Sequence, residues 1–214
     1  MRILLVGYGR MGQMVASLAP EYGAEVVGIV DPLSPKHGGE IDDDRWKRVD
    51  AAVHFTSPEG VMTTVPVLAR RGINVILGTT GWQQDEAALR AAVAQAGTAI
   101  VAAPNFSAGV VVFEAIVRQA AGLFAAQDEF GAWMHEAHHA AKKDAPSGTA
   151  LMLRRAMEGA GYRRPIDVAS TRAGQNPGVH TVGFDGPAES ITLSHTARDR
   201  TAFARGALVA ARWI

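Results

Sequence analysis

The amino-acid sequence predicts an α/β protein in two parts, a parallel sheet wrapped by helices and then an α+β segment with an open mixed sheet. Three observations carry this expectation. Apolar, strand-like runs alternate with helical stretches through the first hundred residues, which is the rhythm of a parallel sheet. The glycine run Gly7-Tyr8-Gly9-Arg10-Met11-Gly12 directly follows the first of those strands. From residue 166 onward, short strands succeed one another across Gly/Pro-bearing turns without helices of their own, a pattern of antiparallel or mixed sheets.

Taken in order, residues 2–6 (RILLV) are an apolar run of buried-strand type, and residues 11–18 read as the helix after the glycine turn. Residues 25–30 form a second strand that ends on Asp31, nineteen positions after Gly12. Strand, G-x-G-x-x-G, helix, strand and acid make up the layout of a Rossmann-type dinucleotide-binding domain. Its glycines allow a tight turn and close approach to a pyrophosphate, and the helix N-terminus faces the phosphate charge. The plainer reading is a strand–helix turn that merely needs small residues. Residues 32–50 are polar, acidic at Asp42-Asp43-Asp44, and read as a shortened, mobile connection. Residues 51–56 are the third strand, 59–71 a helix despite Pro66, and 74–77 a fourth strand running into Gly78-Thr79-Thr80-Gly81. Asp85 is expected to cap a helix that Gly97 stops, and residues 99–102 are the fifth strand. Gly12, Asp31, Thr56, Gly78 and Ala103 all follow strand ends, where ligands of such sheets bind. Ala103-Pro104-Asn105-Phe106-Ser107 breaks the alternation and leads to an apolar helix over residues 108–126. Strands at 166–171, 180–184 and 190–195 and a helix at 201–213 complete the chain. The organisation divides it into residues 1–106 with 198–214, and residues 107–197.

Composition narrows the function classes. Lys+Arg and Asp+Glu are both 21, so a net charge of zero gives no reason to expect nucleic acid or an anionic membrane as partner. With 48% hydrophobic and 20% charged residues the balance is that of an ordinary globular chain. Cysteine is absent, which fits a reducing compartment. The first residues run straight into a strand and no apolar run approaches eighteen residues, so a cytoplasmic location without signal peptide or membrane span is expected.

Any cationic site must therefore be local, and residues 135–150 supply one. Three histidines and two lysines fall within nine residues, followed by Pro146-Ser147-Gly148-Thr149 opening a helix. Ser147 is a good N-cap, and the unpaired N–H groups and positive dipole end of a helix start attract anions. Imidazoles and ammonium groups beside it make a pocket for a small multivalent anion, a carboxylate first of all. His135-Glu136-Ala137-His138-His139 also matches the H-E-x-x-H zinc signature. That motif requires a helix, whereas the aromatic, apolar approach at residues 130–134 reads as a strand. There, residues four apart stand roughly 13 Å from each other, too far to share one zinc. A solvated basic loop with a helix cap would explain the lysines but not the clustered histidines.

The block Glu136-Ala137-His138-His139-x-x-Lys142-x-Asp144-Ala145-Pro146-Ser147-Gly148-Thr149-Ala150 resembles the signature of the 4-hydroxy-tetrahydrodipicolinate (dihydrodipicolinate) reductase family, of lysine and diaminopimelate biosynthesis. The resemblance extends to Gly78-Thr79-Thr80-Gly81, to Ala103-Pro104-Asn105-Phe106-Ser107 and to the tail from Ser194-His195 to Gly206-Ala207, and so covers nearly the whole chain. It implies an NAD(P)H-dependent oxidoreductase acting on a small dicarboxylate, with a dinucleotide-binding domain, a substrate-binding and oligomerisation domain, and assembly as a homotetramer. Carried over by position, dinucleotide contacts fall at Gly7, Tyr8, Gly9, Arg10, Met11, Gly12, Asp31, Gly78, Thr79, Thr80, Ala103, Pro104, Asn105 and Phe106. His138 would be the proton donor, Lys142 the catalytic cation, and His139, Gly148 and Thr149 substrate contacts, with no metal. Arg172, Gly174 and His180 look like a family segment near the substrate, for which structural support of the cleft is an equal reading. Lys143, one residue off the pattern, is expected to face solvent. The chain is shorter than most members between Asp31 and Val53, and its glycine loop has one residue fewer than in many relatives.

The chemistry suits the residues. Negative charge grows on a conjugated substrate as hydride arrives, so a placed cation and an acid lower the barrier. Lys142 supplies the charge, and His138 titrates near neutrality and can give a proton. Two other classes stand beside the reductase: a catalytically idle dinucleotide-binding regulator, against which the intact His138/Lys142 pair argues, and a zinc hydrolase. Asp31 favours NADH modestly over NADPH, because a 2′-phosphate would meet its charge. Pro32 offers no N–H there, and only Lys36 and His37 are at hand to offset the repulsion.

Overall fold

The computed structural model describes all residues except 32, 33, 35 and 39, so Pro32 lies outside the described residues. The chain forms two compact units: Met1–Phe106 with Phe203–Ile214, and Ser107–Ala202. The return to the first unit thus falls at Phe203, within the last helix, where the sequence suggested 198.

The first unit is a five-stranded sheet in the order β2-β1-β3-β4-β5. Its strands are β1 (Arg2–Val6), β2 (Glu25–Val30), β3 (Ala51–His54), β4 (Asn74–Leu77) and β5 (Ile100–Ala102), and every pairing is parallel. Helices α1 (Arg10–Leu18) and α6 (Thr201–Trp213) pack on one face, and α2 (Pro58–Arg70) and α3 (Glu86–Ala96) on the other. Period-2 alternation sends Ile3 and Leu5 toward Val15 and Leu208, and Leu4 and Val6 toward Val61, Val65 and Leu68. Both faces being covered, β1 has to be apolar throughout rather than alternating. Each such Leu or Ile contributes about 1.5–3 kcal/mol on burial. The chain runs from β1 outward to β2 and then crosses to β3 on the other side, so the C-terminal ends of β1 and β3 form the switch point at which such sheets bind ligands.

Several local expectations shift. β3 stops two residues early, because Phe55 and Thr56 turn out of the sheet toward Ser57, which caps α2 by accepting from the Gly60 N–H. Asp85 occupies the N-cap position of α3 but makes no side-chain capping bond, since a 3₁₀ turn over Gln83–Asp85 delivers the chain into the helix. Gly97, left-handed, ends α3. The later part of the 32–50 connection is anchored rather than loose. Trp46, in a 3₁₀ turn, is buried against Gly28, where a Cβ would come within 2.1 Å of its ring. Arg71 reaches the Asp42 carboxylate at 2.6 Å and the Asp43 carbonyl at 2.7 Å.

The second unit is a four-stranded sheet in the order β7-β6-β8-β9. Its strands are β6 (Gly131–His138), β7 (Ile166–Arg172), β8 (Val179–Asp185) and β9 (Ser190–Thr196). β6 and β7 are parallel and the other two pairings antiparallel, a mixed sheet. Helices α4 (Ala108–Phe124) and α5 (Gly148–Gly159) cover one face, where Phe113, Val117, Leu153 and Met157 meet Ala132, Met134, Val182 and Phe184. The opposite face carries Trp133, lying on Gly183, and the polar pairs His135–Thr171 and Thr181–Ser194.

Candidate active site

The strand over residues 131–138 decides how the histidine block is used. Ala132, Met134, Glu136 and His138 alternate onto the buried side of β6, while His135 points to the open face and hydrogen-bonds Thr171 at 2.9 Å. His139 lies past the strand end, 3.5 Å from the Arg200 guanidinium. The two histidines of the H-E-x-x-H sequence therefore diverge, as a strand requires.

What converges instead is Glu136 with His138. Both carboxylate oxygens of Glu136 are used: Oε1 accepts from Arg172 at 2.6 Å and Oε2 pairs with His138 Nδ1. Arg172 stands opposite His138 in the parallel β6–β7 register and also donates to the Asp144 carbonyl at 2.6 Å. Burial alone would raise the Glu136 carboxyl, but hydrogen bonds from Arg172 and Ser170 and the charges of His138 and Arg172 hold it at about 2. The carboxylate is thus fixed as an anion. Burial pushes His138 below its ordinary value, and the Glu136 charge opposes that push. With Nδ1 committed, Nε2 is the atom left for chemistry; it faces Gly178, where a Cβ would approach to 3.1 Å.

His180 sits opposite Glu136 on β8, its ring 5.1 Å from that of His138. Burial, then the neighbouring His138, lowers it to about 4. Its Nε2 meets the Ser147 hydroxyl at 3.0 Å, and the Ser147 oxygen also accepts the Ala150 N–H that caps α5. His180 and Arg172 therefore brace the site, one through the helix cap and one through Glu136. Among the described residues, Glu136, His138 and His180 bring one ligand atom each within 4.8 Å of one another. The sequence showed no third ligand because this one arrives from another strand. Both Glu136 oxygens already serve Arg172 and His138, so the donor set does not fit a cation.

Lys142 lies in the turn after β6 with its Nζ 2.7 and 2.9 Å from the two Asp144 oxygens. Burial pulls the Asp144 carboxyl up, but the Lys142 ammonium and the backbone N–H groups of Asp144 and Gly148 hold it below its ordinary range. An internal carboxylate thus rests on the lysine and the helix start assigned to the substrate. Thr149 is half-buried beside the exposed Gly148, and Lys143 is exposed.

In the first unit the expected dinucleotide residues collect at the C-terminal ends of the strands. Gly7 has φ +93°, and a Cβ there would lie 2.1 Å from the Phe55 carbonyl; one on Gly12 would lie 2.1 Å from that of Gly7. A Cβ on Gly9, by contrast, meets open space, and Gly9 heads α1 with no side-chain cap. The arrangement leaves room and unpaired N–H groups for a pyrophosphate, so the loop fits a dinucleotide. Asp31 accepts the Tyr8 N–H at 2.7 Å, tying this loop to β2, and His37 packs edge-on to Tyr8. Arg10 and Lys36 are exposed and Met11 half-buried. Gly78 has the Phe55 ring where its Cβ would be. Thr79 is buried and Thr80 exposed, and Thr79, Trp82, Ala103 and Pro104 line a cleft of about 410 Å³. Phe106 belongs to the core, edge-on to Phe55 and backing Gly206, a packing role that sequence reasoning did not separate from ligand contact. Sequence reasoning also missed Glu136 and Asp144 as acting groups. Two-residue spacing from His138 on a strand was the available signal for the former.

The chain matches the family described as Dihydrodipicolinate reductase, N-terminus, over residues 1–106, and Dihydrodipicolinate reductase, C-terminus, over residues 109–214. It is 36% identical over 252 residues to a 4-hydroxy-tetrahydrodipicolinate reductase of Rhodopseudomonas palustris, spanning all of this chain and 91% of the relative. A relative of the same description from Christiangramia forsetii is 31% identical, with 100% and 92% covered. Among solved structures, the dipicolinate-bound dihydrodipicolinate reductase from Paenisporosarcina sp. TG-14 matches with a TM-score of 0.81 at 20% identity, covering 100% of this chain and 95% of that one.

Proposed function

Because the chain belongs to the dihydrodipicolinate reductase family, we propose that it reduces 4-hydroxy-tetrahydrodipicolinate to tetrahydrodipicolinate with NADH or NADPH, the 4-hydroxyl leaving as water, in lysine and diaminopimelate biosynthesis. The observation that carries this reading is the placement of a buried, ion-paired Glu136–His138 dyad beside Lys142 and the α5 start. When bound, the reduced dinucleotide supplies the hydride.

The chain's own residues divide the remaining work. Gly7 to Gly12 hold the pyrophosphate, with Gly7 and Tyr8 shaping the turn and the N–H groups heading α1, with its dipole, meeting the charge. Asp31, Gly78 to Thr80 and Ala103 to Asn105 contact the remainder of the dinucleotide. His139, Gly148 and Thr149 grip one substrate carboxylate, which exchanges with Asp144 at Lys142. That exposed ion pair is worth at most about 1 kcal/mol, so exchange is cheap. Lys142 then stabilises charge growing on the substrate, and His138 donates a proton from Nε2 while Glu136 holds Nδ1 and favours the imidazolium.

NADH is the modestly preferred cofactor, supported by the carboxylate of Asp31 and the exposure of Lys36. A cytoplasmic homotetramer is the proposed state, supported by the open sheet face bearing Trp133. Among the described residues no helix is long and apolar enough to cross a membrane. The test is NAD(P)H oxidation with enzymatically generated hydroxy-tetrahydrodipicolinate. Dinucleotide binding without turnover would instead identify an idle regulator.

A further inference from the structure

His54 ends β3 with its side chain fully buried, and each ring nitrogen meets a threonine hydroxyl. In α2, the Thr64 hydroxyl donates to the Gly60 carbonyl at 2.5 Å. The same oxygen lies 2.7 Å from His54 Nε2. Burial keeps the ring neutral, with a pKa of about 4. The atom facing Nδ1 is the Thr79 hydroxyl at 3.1 Å. The Thr79 oxygen accepts the Thr56 N–H at 2.9 Å, and its carbonyl accepts the Trp82 indole N–H at 2.8 Å. Thr79 is thereby held from both of its oxygens. Its buried hydroxyl faces the protein interior, leaving the backbone of the turn to meet a ligand.

We propose that His54 is a positioning residue for dinucleotide binding: a relay running from Thr64 through the His54 ring to Thr79 sets the Gly78–Gly81 turn against the end of β3. The inference rests on the reading of Gly78 to Thr80 as dinucleotide contacts. Neither His54 nor Thr64 is itself among the residues assigned to touch the cofactor.

The test is direct binding of NADH and NADPH by fluorescence titration to the full chain, in parallel with thermal unfolding. Replacing His54 risks the fold, so the relay is cut at its ends with isosteric changes. Thr79→Val is expected to weaken NADH binding by about 5- to 20-fold, the scale of one buried hydrogen bond, and Thr79→Ser to restore it. Thr64→Val, which removes the hydroxyl facing Nε2, is expected to weaken binding several-fold, again with rescue by serine. Ring ¹⁵N shifts of His54 should report a single neutral tautomer in the wild-type chain. Val variants that unfold at lower temperature yet bind NADH as the wild type does would reduce the relay to a structural role and overturn the proposal. A wild-type chain that binds neither dinucleotide would instead overturn the functional reading, and the proposal with it.

Discussion

The substitution Glu136→Gln isolates the charge of the dyad from its shape. The introduced amide fills the same space and keeps one acceptor for His138 Nδ1–H while turning its NH2 toward Arg172, and the anion beside the ring disappears. Unit charges about 4 Å apart at an effective dielectric near 20 interact by about 4 kcal/mol. Arg172, 2.6 Å from the other oxygen, already neutralises part of that charge, and the His138 pKa is expected to drop. The sign follows from the role of His138. Proton donation needs the imidazolium, so turnover falls as pH rises through this pKa, and a lower pKa moves that limb to lower pH. Above both limbs the variant should lose about 10- to 1000-fold in kcat/KM, and at acidic pH it should converge on the wild type. The assay is the pH profile of kcat/KM over about pH 5 to 9. A loss of equal size at every pH would mean that Glu136 only supports the fold.

Three other outcomes follow from the same geometry. Lys142→Ala should cut kcat by about 10²–10³ while NAD(P)H affinity stays nearly intact, since the lysine lies in the substrate block; an unchanged kcat in the folded, cofactor-saturated variant removes it from the mechanism. Folded-state pKa values of about 4 for His54 and His180, against 6.5 for an unburied histidine, mean the unfolded chain binds protons first. Their contribution, up to about 3 kcal/mol each, is complete above about pH 6.5 and is lost as pH falls toward 4; a Tm flat across that window would refute the buried neutral rings. For the cofactor, kcat/KM at low and moderate salt should favour NADH modestly. A clear NADPH preference would mean that Lys36 and His37 outweigh Asp31, and Lys36→Ala should then abolish it.

What could be read from the sequence was whatever rests on local pattern. The strands β1, β3 and β4 announce themselves because both of their faces are buried, β2 and β5 because their runs are apolar, and the glycine loop because two tight steric demands, at Gly7 and Gly12, fall within six residues. The histidine block was recognisable as a strand because its approach is aromatic and apolar. Arg172, His180 and Thr64 act through partners 36, 33 and 10 positions away, across strands or down a helix, and no spacing in one sequence fixes such register. Trp46 was hidden for a related reason. Its polar surroundings suggest a loose connection, and only the gap above Gly28 explains why an indole anchors there.

The Asp144 carboxylate resting on Lys142 changes what kind of event ligand capture is. A pocket with bare cations attracts any passing anion and collects a cloud of counter-ions that salt readily disturbs. Here the counter-ion is tethered two residues from the lysine, so its local concentration never falls, whatever the buffer. Capture becomes a trade of one carboxylate for another at constant site charge. Monovalent buffer anions have little to gain from such a trade, whereas a ligand with two acidic groups on a rigid ring can hold the lysine with one and the rest of the pocket with the other. On the proposed function, selectivity for a dicarboxylate is in that sense written into the resting state, before any substrate arrives.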